Sequence, residues 1–370
     1  MTYPYIDLWS WFESYGRQAR LKGDTQRLNL IDIATQGWRY MRVERMDEAK
    51  VEFQKGVEVA AHLREAWWEV FFEYRICEVC ERLSEYQETL DRSIKLVTKL
   101  QRPQLVEHPY RASAHMMVVW GYYLIDACGY RPEIEAAMDY IEDHIPMDRI
   151  THMEIYYIRS GIAQFFEEYD KAYAYIMQYM DAAQGDSGEE KRVYQLLSDY
   201  YYATGDMEQA LEAERQCAYH SKQGQSLRWE AIAIGWQSVR LAWLGRSFEA
   251  AMQFEQGKKR LEELSLQRLI PAMSVHYLIG CGRDAEAWEY AGRAMEVAAE
   301  SRSLDKLLAW HLTRGYLLNR LQRSVADEMV AARRLVQQFR TPEHHLKKLE
   351  RIEQGRRYEY DWQIKQRETR

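Results

Sequence analysis

The chain has 370 residues, a formal net charge of −7 and a pI near 5.9, so it lacks the concentrated basic charge that phosphate-led nucleic-acid binding needs, and no nucleic-acid partner is expected. Hydrophobic residues at 47% and aromatics at 13% exclude disorder of the whole chain, and seven prolines without long alternating β-branched runs argue against a sheet protein. Five cysteines, Cys77, Cys80, Cys128, Cys217 and Cys281, form no disulfide framework and fit a reducing compartment.

The first residues, MTYPYIDLWSWFESYG, carry Asp7 and Glu13 and no basic start, so they do not read as a secretory signal. No stretch reaches about 18 uninterrupted apolar residues, so no membrane association is expected and a cytoplasmic location is. Residues 5 to 22 predict an opening helix with Ile6, Trp9, Phe12 and Tyr15 on one face. We assign residues 1–29 to an N-terminal capping helix that covers the first of a series of repeats.

From about residue 30 a two-helix unit recurs. Its best copy is residues 191 to 218. Tyr194, Leu197, Tyr201 and Tyr202 give one helix an apolar face, Gly205-Asp206 turns the chain, and Ala210, Leu211 and Cys217 face inward on a second helix. The marker of the unit is a small residue about five positions after the helix break. It falls at Ala49, Thr89, Ala136, Ala172, Ala210, Ala250, Ala287 and Ala326, at intervals of 36 to 47 residues. The first copy runs through Gly37, Tyr40, Glu44 and Phe53, and in the second Ser84 occupies the turn. The third, after Gly129, is two residues longer than the rule, with Pro132 in the first turn of its second helix. The acidic stretch Gln184 to Glu190 predicts a mobile internal linker. Thr341-Pro342 predicts a helix start, with a final helix to about Gly355 and a charged tail to residue 370.

The unit resembles the tetratricopeptide repeat, most closely at 194–217, 234–257 and 275–294, although its period is longer than about 34 and the closing proline is mostly missing. The resemblance implies an all-α, right-handed superhelical solenoid of about eight hairpins over residues 30–340, with terminal capping helices, the last of them with the charged tail in 341–370. The longer helices are similar in style to bacterial regulatory repeat proteins. In such arrays the first helix of each hairpin lines a concave face. Mapping the repeat onto that face gives the candidate partner-binding residues Trp38, Tyr157, Gln195, Asp199, Tyr202, Trp236, Val239, Trp243, His276 and His311. Aromatics with a few polar groups suit a peptide or helix laid in a groove.

Catalytic and metal motifs do not emerge. Cys77 and Cys80 form a CxxC without a second ligand pair and read as core thiols. His344 and His345 are adjacent on a helix, point apart and read as solvated surface. Glu167-Glu168 and Glu189-Glu190 read as outer-face charge. No phosphate loop, GxSxG elbow or HExxH occurs, so no enzyme activity and no cofactor are assigned. The resemblance extends to two family functions. The carboxylate clamp of chaperone-binding members is absent, because Ala34, Trp38, Gln195 and Asp199 stand in its places. The asparagine grip of peptide-sensing regulators finds only Asn29 and Asn319, with Gln164, Gln195 and Gln237 as substitutes. The expected function is a protein- or peptide-binding adaptor or regulatory subunit. Alternatives are a sensor of a small ligand or signalling peptide, and a phosphatase-like regulator of a signalling partner.

Overall fold

A computed structural model describes residues 8–43, 45–300 and 304–356. Ile6, the side chain of Trp9, Glu44 and the tail from 357 to 370, all named above, lie outside the described residues. The described chain contains 18 α-helices, two short 3-10 turns and no strand, and it divides into two compact units, Met1–Thr151 and His152–Arg370.

The first unit holds α1 (Leu8–Lys22), α2 (Thr25–Arg42), α3 (Met46–Leu63), α4 (Ala66–Arg82), α5 (Tyr86–Leu100), α6 (Arg111–Asp126) and α7 (Arg131–His144). Each packs on the next, α4 also touches α2 and α6, and an aromatic core of Phe12, Phe53, Trp68, Phe71 and Phe72 runs through α1 to α4. Helix α8 (Arg149–Phe165) starts at the boundary and leads into the second unit. That unit continues with α9 (Tyr169–Ala183), α10 (Ser187–Thr204), α11 (Met207–Gln223), α12 (Leu227–Trp243), α13 (Ser247–Glu263), α14 (Ile270–Gly280), α15 (Asp284–Glu300), α16 (Leu304–Arg320), α17 (Ala326–Val336) and α18 (Pro342–Glu353). From α9 to α18 each helix packs on its neighbour in sequence, and α12 also packs on α14. Both units are therefore arrays of helical hairpins. No described helix is long and apolar enough to cross a membrane.

The hairpin has a fixed register. In all eight copies the fourth residue of the second helix is buried, and its N–H bonds to the carbonyl of the residue just before the helix. The pairs are Ala49 to Arg45, Thr89 to Glu85, Ile134 to Tyr130, Ala172 to Glu168, Ala210 to Asp206, Ala250 to Arg246, Ala287 to Arg283 and Met329 to Val325, all at 2.9 to 3.1 Å. Six of the eight markers expected from sequence fall here. The other two are corrected: Ala136 and Ala326 are exposed, and Ile134 and Met329 take their places. The register is counted from the helix cap, not from the nearest alanine. In the eighth hairpin the small residue sits on the opposing helix instead. A Cβ on Gly315 would lie 2.6 Å from the Met329 methyl carbon, so glycine there makes room for the bulkier marker.

The turn into the second helix repeats as well. Gly205, at φ 88°, ends α10 in the left-handed conformation, and Asp206 N–H then bonds Tyr201 O at 2.8 Å. Ser84 and Glu167 adopt the same conformation without being glycine, at φ 64° and 60°. The stretch from Gln184 to Glu190 is not a linker. Helix α9 runs to Ala183 and α10 begins at Ser187, with the Asp186 carboxylate accepting from Gly188 N at 3.0 Å and Glu189 N at 3.3 Å. A strong N-cap turned its acidic residues into the first turn of a helix. Pro132 lies in the first turn of α7 as expected. Thr341 stands at the cap of α18 but makes no side-chain capping bond.

Candidate functional site

The ten candidate residues fall on first helices, with Trp38 in the first unit and the other nine in the second. Trp38, on α2, is half-buried against Phe71, with the Arg75 guanidinium of α4 5.2 Å from its ring. Arg75 is held in turn by Glu78 and by the hydroxyl of Tyr110.

The second unit repeats the same arrangement twice. Arg192 of α10 lies 4.8 Å from the ring of Tyr157 on α8, and Arg240 of α12 lies 4.1 Å from Tyr202 on α10. In each of the three cases an arginine from the next first helix covers an aromatic of the preceding one, 35 to 38 residues earlier. That spacing of about one repeat was a readable signal. The aromatics stand out by their helical spacing, whereas Arg75, Arg192 and Arg240 are marked only by their distance of about one repeat from those rings.

Arg240 is the centre of the second unit's polar network. The residue is 1% exposed, and its Nε and Nη2 lie 3.3 and 3.2 Å from Ser198 Oγ. Nη2 also lies 3.4 Å from Glu214 Oε1 and 3.5 Å from Asp199 Oδ1, while Ser198 donates to Glu214 at 2.8 Å. The Arg240 contacts are longer than the roughly 2.7 to 2.9 Å of a well-made charged pair, and Nη1 has no hydrogen-bond partner in the protein. Burial pushes the Glu214 carboxyl up to about 7 against the pull of Arg240. Asp199 stands at the edge of the network with its side chain 52% exposed.

Beyond Arg240 the seam continues through rings. Trp236 of α12 lies 5.4 Å from His276 of α14, which lies 6.0 Å from Trp310 of α16. Next to Trp310, His311 Nδ1 is 2.6 Å from Glu328 of α17, and Arg314 reaches the other oxygen of Glu328 at 3.0 Å while stacking 4.3 Å from Trp288. The hydrogen bond from His311 and the Arg314 guanidinium hold the Glu328 carboxyl below its usual range against desolvation. First helices α8, α10, α12, α14 and α16 are thereby joined by side-chain contacts in succession.

Two of the ten residues have almost no surface. Val239 is fully buried and Tyr202 is 3% exposed beneath Arg240, so both build the scaffold. Gln195, Trp236, Trp243, His276, His311 and Tyr157 are partly buried, and Asp199 is open. Gln195 Oε1 has no hydrogen-bond partner in the protein. Gln237, a possible substitute for asparagine, is buried and donates weakly to Glu214 O at 3.4 Å.

In the first unit Cys77 and Cys80 are buried core thiols, with burial pushing Cys80 up to about 12. Cys80, Glu85 and Glu88 bring ligand atoms within 4.8 Å of one another, but the Lys50 ammonium lies on both carboxylates, at 2.6 and 3.0 Å. Arg92 also pairs with Glu88, at 2.7 Å.

No family model and no curated protein matches the chain. Among solved structures it is similar to the apo form of RapI, at a TM-score of 0.45 and 12% identity, over 76% of this chain and 81% of that one.

Proposed function

We propose that the protein is a tetratricopeptide-like regulatory or adaptor protein that binds a peptide or an extended segment of another protein along the first-helix seam of its second unit. The observation that carries this reading is the seam itself. Exposed Asp199, part-buried Trp236, His276 and Trp310, and the buried, incompletely bonded Arg240 lie on successive first helices. Flat rings give contact area at low entropic cost, and isolated polar groups between them fix the register of a bound chain.

The test is selection of a displayed peptide library on the full-length protein, followed by affinity measurement with the enriched sequences. Trp236→Ala and Asp199→Arg should each weaken binding by about 30-fold, the scale of losing an interfacial anchor of about 2 kcal/mol. Library members that bind with the same affinity to both variants would refute the seam.

A further inference from the structure

Helix α18 was expected to end the array as a cap, with its histidines in solvent. Neither histidine is solvated. His345 is 2% exposed and packs 4.1 Å from Phe339, while His344 lies 4.9 Å from Phe166, in the turn between α8 and α9. The helix has two covered faces. His345, Leu349 and Ile352 are buried on the α16–α17 side, where Asn319 also donates to Ile352 O at 2.6 Å.

The other face carries His344, Lys348 and Arg351 at i, i+4 and i+7. Each meets one of three consecutive residues, Phe165 at the end of α8 and Phe166 and Glu167 in the turn that follows it. Lys348 Nζ lies 5.6 Å from the ring of Phe165, His344 stacks near Phe166, and Arg351 grips Glu167 with both prongs, Nη1 to Oε1 at 2.5 Å and Nη2 to Oε2 at 2.9 Å. The neighbour-to-neighbour packing from α9 to α18 therefore returns to the turn that leads into α9. Glu167 holds φ 60°, as the non-glycine residues Ser84 and Gln322 do at corresponding turns, whereas Gly205, Gly245 and Gly282 use glycine. A side chain kept at a left-handed position carries a conformational cost, and here that side chain makes the ion pair. Arg351 also holds the Glu167 carboxyl below its usual range.

We infer that α18 is a clasp that holds the second unit closed around the first-helix seam, and that a partner enters the seam when the clasp releases the α8–α9 turn. The second half of this inference rests on the reading of the seam as a binding groove; the first half does not. The contacts suit a reversible device. They include a part-exposed ion pair and a cation over a ring, both weakened by salt or charge reversal, whereas the opposite face of α18 is anchored by buried side chains.

The experiment measures distance by pulsed electron spin resonance on the full chain. Nitroxides go on exposed Asp170→Cys and Glu343→Cys, in a Cys281→Ser background because the other four cysteines are buried. Arg351→Glu should shift the distance distribution to longer values and broaden it. The charge swap Glu167→Arg/Arg351→Glu should bring it back to that of the parent, which also shows that the longer distance does not come from misfolding. An Arg351→Glu distribution identical to the parent, or a swap that fails to restore it, overturns the clasp. Because the readout is a distance, a clasp that opens while Trp236→Ala leaves peptide binding unchanged would reject the groove and keep the clasp.

Discussion

The guanidinium carbon of Arg240 lies 4.1 Å from the ring centroid of Tyr202, on the neighbouring first helix of the second unit. The stack covers a buried tyrosine with a cation that also reaches Ser198, Asp199 and Glu214. Arg240→Ala removes the cation stacked on Tyr202 and opens a cavity beside that ring. A loss of about 3 kcal/mol is expected, read as a lower denaturant midpoint. Arg240→Lys keeps the charge but not the planar stack or the fork, and should recover less than half of that. Full recovery by lysine would mean that the charge alone matters.

Glu214 sets a pH dependence of the opposite sign from most carboxylates. Its folded pKa of about 7 lies above the usual value of 4.5, so between these values the unfolded state has lost the proton that the folded state keeps. Its contribution to stability therefore falls as pH rises from about 4.5 to 7 and is level above that. Glu214→Gln retains an acceptor for Ser198 and removes the titration. Relative to the parent it should gain about 3 kcal/mol across that window. A stability difference that stays constant with pH would contradict the assignment.

Buried histidines act in the other direction. Desolvation lowers His108 to about 4 and His345 to about 3, and both are 2% exposed. The unfolded chain takes up protons below about pH 6.5 that these folded rings refuse, so stability is lost as pH falls from 6.5 towards 4. The slope is about 1.4 kcal/mol per pH unit for each ring. His345→Phe should remove one such slope from a series of melts at stepped pH, whatever it does to absolute stability.

Two glycines should respond oppositely to alanine. A Cβ on Gly257 of α13 would lie 2.7 Å from Gly235 Cα and 2.8 Å from Gly235 N on α12, against backbone that cannot turn aside. Helix propensity favours alanine by about 1 kcal/mol, but forced separation of the two helices costs up to about 3, so Gly257→Ala should lose about 2 kcal/mol. Gly292, inside α15, has nothing within 4 Å of its Cβ position. There Gly292→Ala should raise the melting temperature by a few degrees. Calorimetry on the pair separates close packing from propensity.

The hairpin was legible in the sequence because its causes are local. Apolar spacing sets each helix, and a left-handed turn residue such as Gly205 ends the first one. A cap such as Asp206 then starts the second, and the buried fourth residue follows within a few positions. Where that local logic was overruled by a single cap, as at Asp186, the expectation of a loop failed. The register at Ile134 and Met329 failed for a related reason. Whether a marker must be small depends on the opposing helix, as Gly315 shows, and that helix is not in the local pattern.

The amino-acid sequence by itself determined an array of helical hairpins, and it placed Asp199, Trp236, His276 and His311 on first helices. Tertiary structure alone decided which of those residues have surface, since Val239 and Tyr202 sit at the same helical periodicity as their exposed neighbours and are covered by other helices. It also decided that Glu167 meets Arg351 across 184 residues and that His345 is buried rather than solvated. Periodicity reports one helix face at a time, whereas burial and long-range ion pairs depend on where the chain returns. For α18 that return placed partners on two faces, where the sequence had shown only a helix with its histidines in solvent.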